Sequence, residues 1–186
     1  FRANRTTKRN AEHFSAFNSY NYPALAKAGV HITYQPHLVH YSDPQAPLRL
    51  HTQFDQNVAI LKLFPGIQRS VVRAVLRTRG LKGVVLETFG AGNAPSDKWL
   101  YRELKAAVEK GIIIVNKTQC NTGSVEMGLY AVSLNLMKAG VLSGYDITTE
   151  ALLTKMMLLL GETPDDTTIV RRLLGKDLCG EITIDK

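Results

Sequence analysis

From residue 57 onward, hydrophobic and polar positions follow one repeating pattern. A short apolar run rich in Val and Ile is followed by a turn, then by an amphipathic stretch, and then by a glycine before the next apolar run. The apolar runs are VAILKLF, GVVLETF, IIIVNKT and VLSGYD. Such alternation is typical of parallel βαβ units, in which each strand is buried on both faces. The pattern predicts an α/β fold with a small doubly wound, flavodoxin-like parallel sheet flanked by helices.

The stretches that follow these runs have the spacing of helices. They are IQRSVVRAVLRTRG, SDKWLYRELKAAVEKG, EMGLYAVSLNLMKAG and TTEALLTKMMLLLGE. Thr148 or Thr149 is expected to cap the last of these, because a threonine hydroxyl accepts a hydrogen bond from the free amides of a first helical turn. A further helix is predicted after it, capped by Thr163, with Pro164 in its first turn and its end near Gly175.

Residues 20–56 lack this pattern and read as an irregular linker. Prolines stand at positions 23, 36, 44 and 47, and four of the five histidines fall here. HITYQPHLV is expected to form a strand and PALAKAG one or two helical turns. The chain opens on Phe1 rather than Met, with the polar stretch FRANRTTKRN, so we expect it to continue from the preceding part of a longer protein.

Composition and net charge limit the kinds of molecule that the chain is expected to bind. With 186 residues, 45% of them hydrophobic, the chain can bury one domain core. The net charge is +7, and Arg69, Arg73 and Arg77 share one face of a predicted helix. No aromatic residues interleave with them to stack on bases, so a solvated face is favoured over a nucleic-acid site. No apolar run approaches the roughly 20 residues that cross a bilayer, and no membrane partner is expected.

The cysteines and histidines do not form metal-binding motifs. Cys120 and Cys179 stand in no CxxC or Cys/His spacing, which argues against zinc and against a disulfide framework and favours a reducing cytoplasm. His37 and His40 are three residues apart, and a strand places such positions on opposite faces. We therefore expect no metal site, and interpret the histidines as surface or interface residues.

The stretch LETFGAGNAPSD follows an apolar run with a glycine-rich turn. A dinucleotide fingerprint needs a third glycine where Pro95 stands, and the Gly-Lys-Ser/Thr end of a phosphate loop is absent, so no nucleotide cofactor is expected. Gly90 and Gly92 are expected to let the backbone turn sharply beside another surface.

Two residues at predicted strand ends carry candidate chemistry. A charge at the depth of Glu87 costs several kcal/mol unless it is paired, so Glu87 is expected to meet a cation or a ligand amine, with an ordinary ion pair equally open. Cys120 has no histidine near it in sequence to serve as a base. It is interpreted as a partly buried structural thiol rather than a nucleophile, and a ligand-lining role stays open.

Four stretches together resemble a known family: LETFGAGNAP, IIIVNKTQC, GVLSGYDITTEALLTKMMLLLG and the opening FRANRTTK. Over essentially the whole chain they are similar to the C-terminal half of the bacterial cytoplasmic, or type I, L-asparaginases. The resemblance implies that residues 1–56 are the end of an N-terminal domain and an interdomain linker, and that residues 57–186 are the C-terminal α/β domain. It also implies a cytoplasmic location.

The family's activity is the hydrolysis of L-asparagine to L-aspartate and ammonia, without a cofactor. The resemblance places the threonine nucleophile in the N-terminal domain, so no catalytic residue is expected in this chain, which alone should be inactive. It implies two further partners, the protein's own N-terminal domain and further copies of itself, as a dimer or a dimer of dimers.

The resemblance also implies two sites. Asn93, in the glycine-rich loop, and Tyr130 are expected to complete the active site of a neighbouring protomer. Some type I enzymes bind asparagine as an allosteric effector, which corresponds here to Glu87, Thr118 and Cys120. Glu87 stands where those relatives use an arginine to grip the ligand carboxylate, and a glutamate repels it. The effector site is therefore expected to be altered.

Two other interpretations stay open. One is the asparaginase-like subunit of an archaeal tRNA-dependent amidotransferase, whose partner tRNA would fit the positive charge. The other is a free-standing, non-catalytic domain that binds an effector or dimerises.

Overall fold

A computed structural model describes residues 1–41, 44–128 and 131–184 of the chain. In these ranges the strands are β1 (Thr7–Lys8), β2 (Phe17–Asn18), β3 (Ala26–Ala28), β4 (Ile32–Tyr34), β5 (Val58–Lys62), β6 (Gly83–Thr88), β7 (Ile113–Thr118) and β8 (Leu142–Ser143). The α-helices are α1 (Arg69–Leu76), α2 (Lys98–Glu109), α3 (Ala131–Lys138), α4 (Thr149–Glu162) and α5 (Thr167–Leu174). Short 3-10 helices span Ala3–Arg5 and Pro36–Leu38.

The central sheet is parallel and has the strand order β5-β6-β7-β8. Its register places Lys62 beside Glu87 and Glu87 beside Lys117 at the carboxyl ends of three neighbouring strands. The α/β class with a parallel sheet flanked by helices, predicted from the alternating apolar runs, is confirmed.

Two hydrophobic cores lie on opposite faces of this sheet. Val84 and Leu86 of β6 point into the core that α1, α2 and α3 cover. Val85, between them, points into the core that α4 and α5 cover. All three side chains are fully buried, and each contributes about 1.5–3 kcal/mol relative to an exposed position. Because both faces are covered, the central strands are apolar at consecutive positions rather than at alternate ones.

The prediction of helical turns in PALAKAG was wrong. Residues Ala26–Ala28 form β3, which pairs antiparallel with β4, so that Ala26 lies opposite Tyr34. The predicted strand in HITYQPHLV is β4. A single helical turn is marginal on its own, whereas pairing with a neighbouring strand satisfies the backbone groups of both segments.

The helix-capping predictions were half right. Thr148 caps α4, and its hydroxyl accepts a hydrogen bond from the amide of Ala151 at 3.2 Å. Thr163, however, ends α4 and donates its hydroxyl proton to the carbonyl of Leu159. The cap of α5 is Asp166, whose carboxylate accepts from two amides of the first turn. A carboxylate has more acceptor capacity than a hydroxyl, which favours Asp166 at this position.

The first residues of the chain pack against the last ones. The guanidinium of Arg5 is buried and donates to the carboxylate of Asp146, the carbonyl of Glu181 and the hydroxyl of Thr183. Glu181 in turn pairs with the buried Lys155 of α4 at 2.6 Å. This network holds residues 1–21, which we call the N-terminal segment, at the carboxyl end of the sheet.

Among the helices in the described ranges, none is both long and apolar enough to span a membrane.

Candidate functional site

A cavity of about 210 Å³ opens at the carboxyl ends of β5, β6 and β7. The strand ends contribute the charged residues Lys62, Glu87 and Lys117. The start of α4 and the N-terminal segment close the other sides, with Arg5 and Asn21 among the lining residues. Parallel sheets bind their ligands at this edge, so the cavity is the candidate site.

Glu87 has both a hydroxyl and an ammonium group as neighbours. Its Oε1 accepts a hydrogen bond of 2.8 Å from the hydroxyl of Thr149. Its Oε2 lies 3.9 Å from the Nζ of Lys62, whose side chain is 65% exposed. The expectation that Glu87 meets a cation is confirmed, but through a long ion pair whose lysine is solvent-exposed, and such a pair contributes little on its own. The carboxylate therefore keeps acceptor capacity on its cavity side.

Lys117 brings a second positive charge to the cavity. Burial lowers the pKa of its ammonium, and the carboxylates of Glu87 and Glu150 partly restore it. Within the described ranges, its ammonium makes neither an ion pair nor a hydrogen bond. An ammonium in this position is available to an anionic group of a ligand.

The interpretation of Cys120 as a partly buried thiol was wrong. Cys120 is exposed, with a free thiol, and it lines the cavity. Its amide donates to the hydroxyl of Thr118 at 3.0 Å. Thr118 itself is buried and donates its hydroxyl proton to the carbonyl of Gly90. The three predicted effector residues thus share one cavity, but the hydroxyl proton of Thr118 is already used within the protein.

The glycine-rich loop is held by an asparagine that the sequence reasoning missed. Asn116 is fully buried within β7, accepts a hydrogen bond of 2.6 Å from the hydroxyl of Thr88, and donates one of 3.1 Å to the carbonyl of Gly92. Gly92 has a φ of 104° and lies against Val125 and Asn116. The sharp turn beside another surface, predicted for these glycines, is present. The signal for Asn116 was the single amide inside the apolar run IIIVNKT.

Asn93 lies apart from the strand-end cavity. Its backbone exchanges two hydrogen bonds with that of Phe89, which closes the glycine-rich loop into a tight turn. Asn93 is half-buried and is absent from the cavity lining. Tyr130, the other residue expected to complete a neighbouring active site, lies outside the described residues.

Two further side chains, both missed from sequence, tie the cavity walls together. Gln119 donates from its amide to the carbonyls of Leu63 and Glu87, at 2.7 and 3.0 Å, and so joins the ends of β5 and β6. Asn21, from the N-terminal segment, donates to the carbonyl of Gly123 and accepts from its amide, at 3.0 and 2.9 Å. No local pattern marks either residue, because their partners lie far away in sequence.

The charges lining the cavity suit a zwitterion. Arg5 is paired with Asp146, which leaves Lys62 and Lys117 against the carboxylates of Glu87 and Glu150. Among the described residues, no histidine lines the cavity. Over the same part of the chain, no group of three His, Cys, Asp or Glu side chains is placed to hold a metal ion. The arrangement can bind a small molecule that carries both an ammonium and a carboxylate.

The helix face predicted to be solvated is largely exposed, and two of its arginines also form ion pairs. Arg69 of α1 lies 2.6 Å from the carboxylate of Glu103 on α2, and Arg73 lies 3.6 Å from it. Burial raises the pKa of Glu103, but the hydrogen bond and the charges of these arginines outweigh it and lower the pKa below its usual value.

Comparisons with known proteins agree on the family to which the chain is similar. Residues 57–173 match the family model of the glutaminase/asparaginase C-terminal domain. Along 190 aligned residues, covering the whole chain and 54% of the relative, it is 42% identical to L-asparaginase 1 of Escherichia coli (strain K12). Along 183 residues, 98% of this chain and 32% of the relative, it is 45% identical to a human (Homo sapiens) protein named 60 kDa lysophospholipase.

A solved structure agrees with these matches. L-asparaginase I from Vibrio cholerae superposes with a TM-score of 0.89 at 39% identity, over 97% of this chain and 54% of that one. One component of the glutamyl-tRNA(Gln) amidotransferase of Thermococcus kodakarensis is 36% identical over 131 residues, which are 70% of this chain and 29% of that component. The chain therefore spans about half the length of the bacterial asparaginase that it matches, and about a third of the human protein.

Proposed function

Because this chain belongs to the glutaminase/asparaginase family, we propose that the longer protein containing it hydrolyses L-asparagine to L-aspartate and ammonia. The similarity to L-asparaginase 1 along the whole of this chain carries the proposal. The threonine nucleophile belongs to an N-terminal domain, and residues 57–186 supply the C-terminal domain, preceded by the linker in residues 1–56. The reaction needs no cofactor, and the protein acts in the cytoplasm.

The exposed apolar side chains of residues 1–56 support packing against the N-terminal domain or a second copy. Val30 is 97% exposed, and Leu48 and Leu50 are 99% and 81% exposed. Concentration of large apolar residues on one surface segment is typical of an interface. In the resulting dimer, Asn93 and Tyr130 complete the active site of the neighbouring protomer.

The strand-end cavity serves as an effector site in altered form, formed by Glu87, Thr118 and Cys120. Its balanced charges support an amino acid as the ligand. Carboxylates bind ammonium groups and ammonium groups bind carboxylates, so the ligand amine lies toward Glu87 and its carboxylate toward Lys117. This orientation differs from one in which an arginine at position 87 holds the carboxylate.

Ammonia release from asparagine by the full-length protein tests the activity. The full-length protein is expected to be active and the 186-residue chain inactive, because the proposed nucleophile belongs to the N-terminal domain. Absence of ammonia release from the full-length protein would contradict the proposal, as would equal activity of the isolated chain.

The dependence of rate on asparagine concentration tests the effector site. Glu87→Gln and Cys120→Ala are expected to shift the asparagine concentration that gives half-maximal activation, whereas Glu109→Gln, on the exposed end of α2, is expected to leave it unchanged. Identical saturation curves for all three variants and the parent protein would remove the effector role while leaving the asparaginase assignment intact.

The similarity to a protein named lysophospholipase favours one second candidate, hydrolysis of the ester bond of a lysophospholipid. The same full-length preparation should be given lysophosphatidylcholine, and release of fatty acid measured. Fatty acid release without ammonia release would replace the asparaginase proposal by this one. The amidotransferase interpretation is tested by the upstream sequence, since the asparaginase-like component of that enzyme carries an additional small domain before its asparaginase region.

A further inference from the structure

A second cavity, separate from the strand-end site, lies between α2 and α3. Its volume is about 430 Å³. Its charged lining residues are all positive: Lys98, Arg102, Lys105 and Lys138. The amide of Asn135 and the hydroxyl of Ser96 add further hydrogen-bond donors. No carboxylate from the described part of the chain lines this cavity, which we call the α2–α3 pocket.

The positive charges of the α2–α3 pocket are largely uncompensated. Lys105 lies 3.8 Å from Glu109, in an exposed pair one helical turn away, and such a pair compensates the charge only weakly because water screens it. Within the described ranges, Arg102, Lys98 and Lys138 form no ion pair. The nearest other carboxylate on α2, Glu103, points to the opposite side and is held by the arginines of α1.

Helix geometry aligns three of the cations. Lys98, Arg102 and Lys105 are spaced i, i+4 and i+7, so they lie along one face of α2. The stripe is about 10 Å long, at about 1.5 Å of rise per residue. Lys138, in the last turn of α3, faces it from the other wall of the pocket.

Tyr101, in the wall between the two helices, adds no negative charge, and the carboxylate beside it, Asp97, is not among the described lining residues. Tyr101 donates its hydroxyl proton to the carbonyl of Pro95 at 2.8 Å. Burial, together with the carboxylate of Asp97, raises the pKa of this phenol, so Tyr101 is neutral at physiological pH.

We propose that the α2–α3 pocket binds a ligand that carries two or more linked phosphate groups. A single carboxylate would leave three of the four cations uncompensated. A terminal phosphate carries about −1.5 to −2 charges near pH 7 and each inner phosphate adds about −1, so two or three linked phosphates approach the four positive charges of the pocket. Arginine binds phosphate oxygens in a bidentate fork, and lysines add point charges, which assigns Arg102 the central contact.

Isothermal titration of the full-length protein with sodium triphosphate, at about 0.1 M salt where exposed charges are partly screened, tests the proposal. The double variant Arg102→Gln/Lys138→Gln is expected to bind at least tenfold more weakly. The matched control Arg77→Gln/Arg79→Gln removes the same charge from exposed positions outside the pocket, and it should bind within twofold of the parent protein. Equal weakening in both variants, or no binding by the parent protein, overturns the proposal.

Further ligands and one further variant distinguish linked phosphates from other anions, from RNA and from membranes as the recognised ligand. ADP is expected to bind at least tenfold more tightly than AMP, and triphosphate more tightly than citrate; equality in either comparison excludes linked phosphates as the recognised group. The double variant Lys98→Gln/Lys105→Gln, on the exposed face of α2, should also bind triphosphate at least tenfold more weakly, with an unchanged melting temperature. If these variants instead weaken binding of duplex RNA or of phosphatidylserine vesicles while triphosphate does not bind, the pocket serves a macromolecule or a membrane and the proposal is wrong.

Discussion

The guanidinium of Arg5 forms a bidentate ion pair with the carboxylate of Asp146, with N–O distances of 2.9 and 2.8 Å. The two residues are 141 positions apart, and the side chain of Arg5 is only 2% exposed. Burial raises the pKa of Asp146, but the bonds from Arg5 and Thr183 outweigh it and hold the pKa below its usual value. The start of the chain is thereby fastened to the loop that leads into α4.

Removing the guanidinium should strongly destabilise the protein. Arg5→Ala leaves the carboxylate of Asp146 buried without its partner, and loss of one member of a buried pair typically costs about 3–5 kcal/mol of unfolding free energy. Urea denaturation of Arg5→Ala measures this cost. Arg9→Ala, at an exposed position nearby, is the control, with an expected change of no more than about 1 kcal/mol. Similar costs for the two variants would show that the ion pair is energetically unimportant.

Stability should fall as the pH is lowered through the range in which Glu181 titrates. Burial raises the pKa of Glu181, but the hydrogen bond and charge of Lys155 and the backbone bonds outweigh it and lower the pKa from 4.5 to about 2. Because the folded-state pKa lies below the unfolded one, the stabilisation is fully present above pH 4.5 and is lost between that pH and about 2. Urea denaturation at a series of acidic pH values measures this slope.

The double variant Lys155→Met/Glu181→Leu is the control for this pH dependence. Replacing a buried ion pair by apolar residues of similar volume is often neutral or stabilising, but here it also removes the hydrogen bonds from the Leu178 and Cys179 amides to Glu181. The variant should therefore fold at about pH 7 with a lower unfolding free energy than the parent protein. Its unfolding free energy should fall less steeply below pH 4.5 than that of the parent protein. An unchanged slope would assign the acid sensitivity to other carboxylates, Asp146 among them.

Alanine should be tolerated at Gly90 of the glycine-rich loop and not at Gly92. At Gly92, where φ is 104°, a Cβ atom would lie 2.8 Å from Val125 and 3.0 Å from the Asn116 amide. At Gly90, where φ is 47°, nothing lies within 4 Å. We expect Gly92→Ala to cost about 2–4 kcal/mol by strain and overpacking, and Gly90→Ala about 1 kcal/mol. Equal melting temperatures for the two variants would contradict this.

The two cysteines should differ in reactivity toward thiol reagents. Cys120 is a free thiol at the cavity mouth. Cys179 is also an exposed free thiol, but partial burial of its sulfur and a hydrogen bond to Glu181 raise the pKa of its thiol, and a raised pKa lowers the fraction of reactive thiolate. Maleimide labelling followed by mass spectrometry should modify Cys120 at least tenfold faster. Labelling of Cys120→Ser and Cys179→Ser assigns each rate, and equal rates would contradict the prediction.

The apolar pattern was sufficient to predict the sheet, because burial on both faces requires consecutive apolar residues and leaves a clear trace. The runs that became β6 and β7 were located in this way. The capping residue of α5 was harder to predict, because two nearby polar side chains could each take this role. Thr163 and Asp166 both suit a helix start, and the choice between them depended on whether the hydroxyl of Thr163 was already used at the end of α4.

The candidate site was predicted as a location rather than as a set of contacts. Glu87, Thr118 and Cys120 were expected at strand ends, where the structure gathers them. The hydrogen bonds of Asn21 depend on the folding of the N-terminal segment over this edge, and those of Gln119 depend on the pairing of β5 with β6. Sequence spacing holds no information on such long-range contacts.

The hydrogen bonds between the first and the last residues of the chain determine how far the protein can be truncated. The family match begins at residue 57, yet Arg2, Asn4 and Arg5 bond to the backbone of residues 179–181, and Asn21 bonds to Gly123. A recombinant fragment cut at residue 57 would expose the buried carboxylate of Asp146. The smallest unit that can be expected to fold independently is thus longer than the region that the family model matches, and it includes the first residues of this chain.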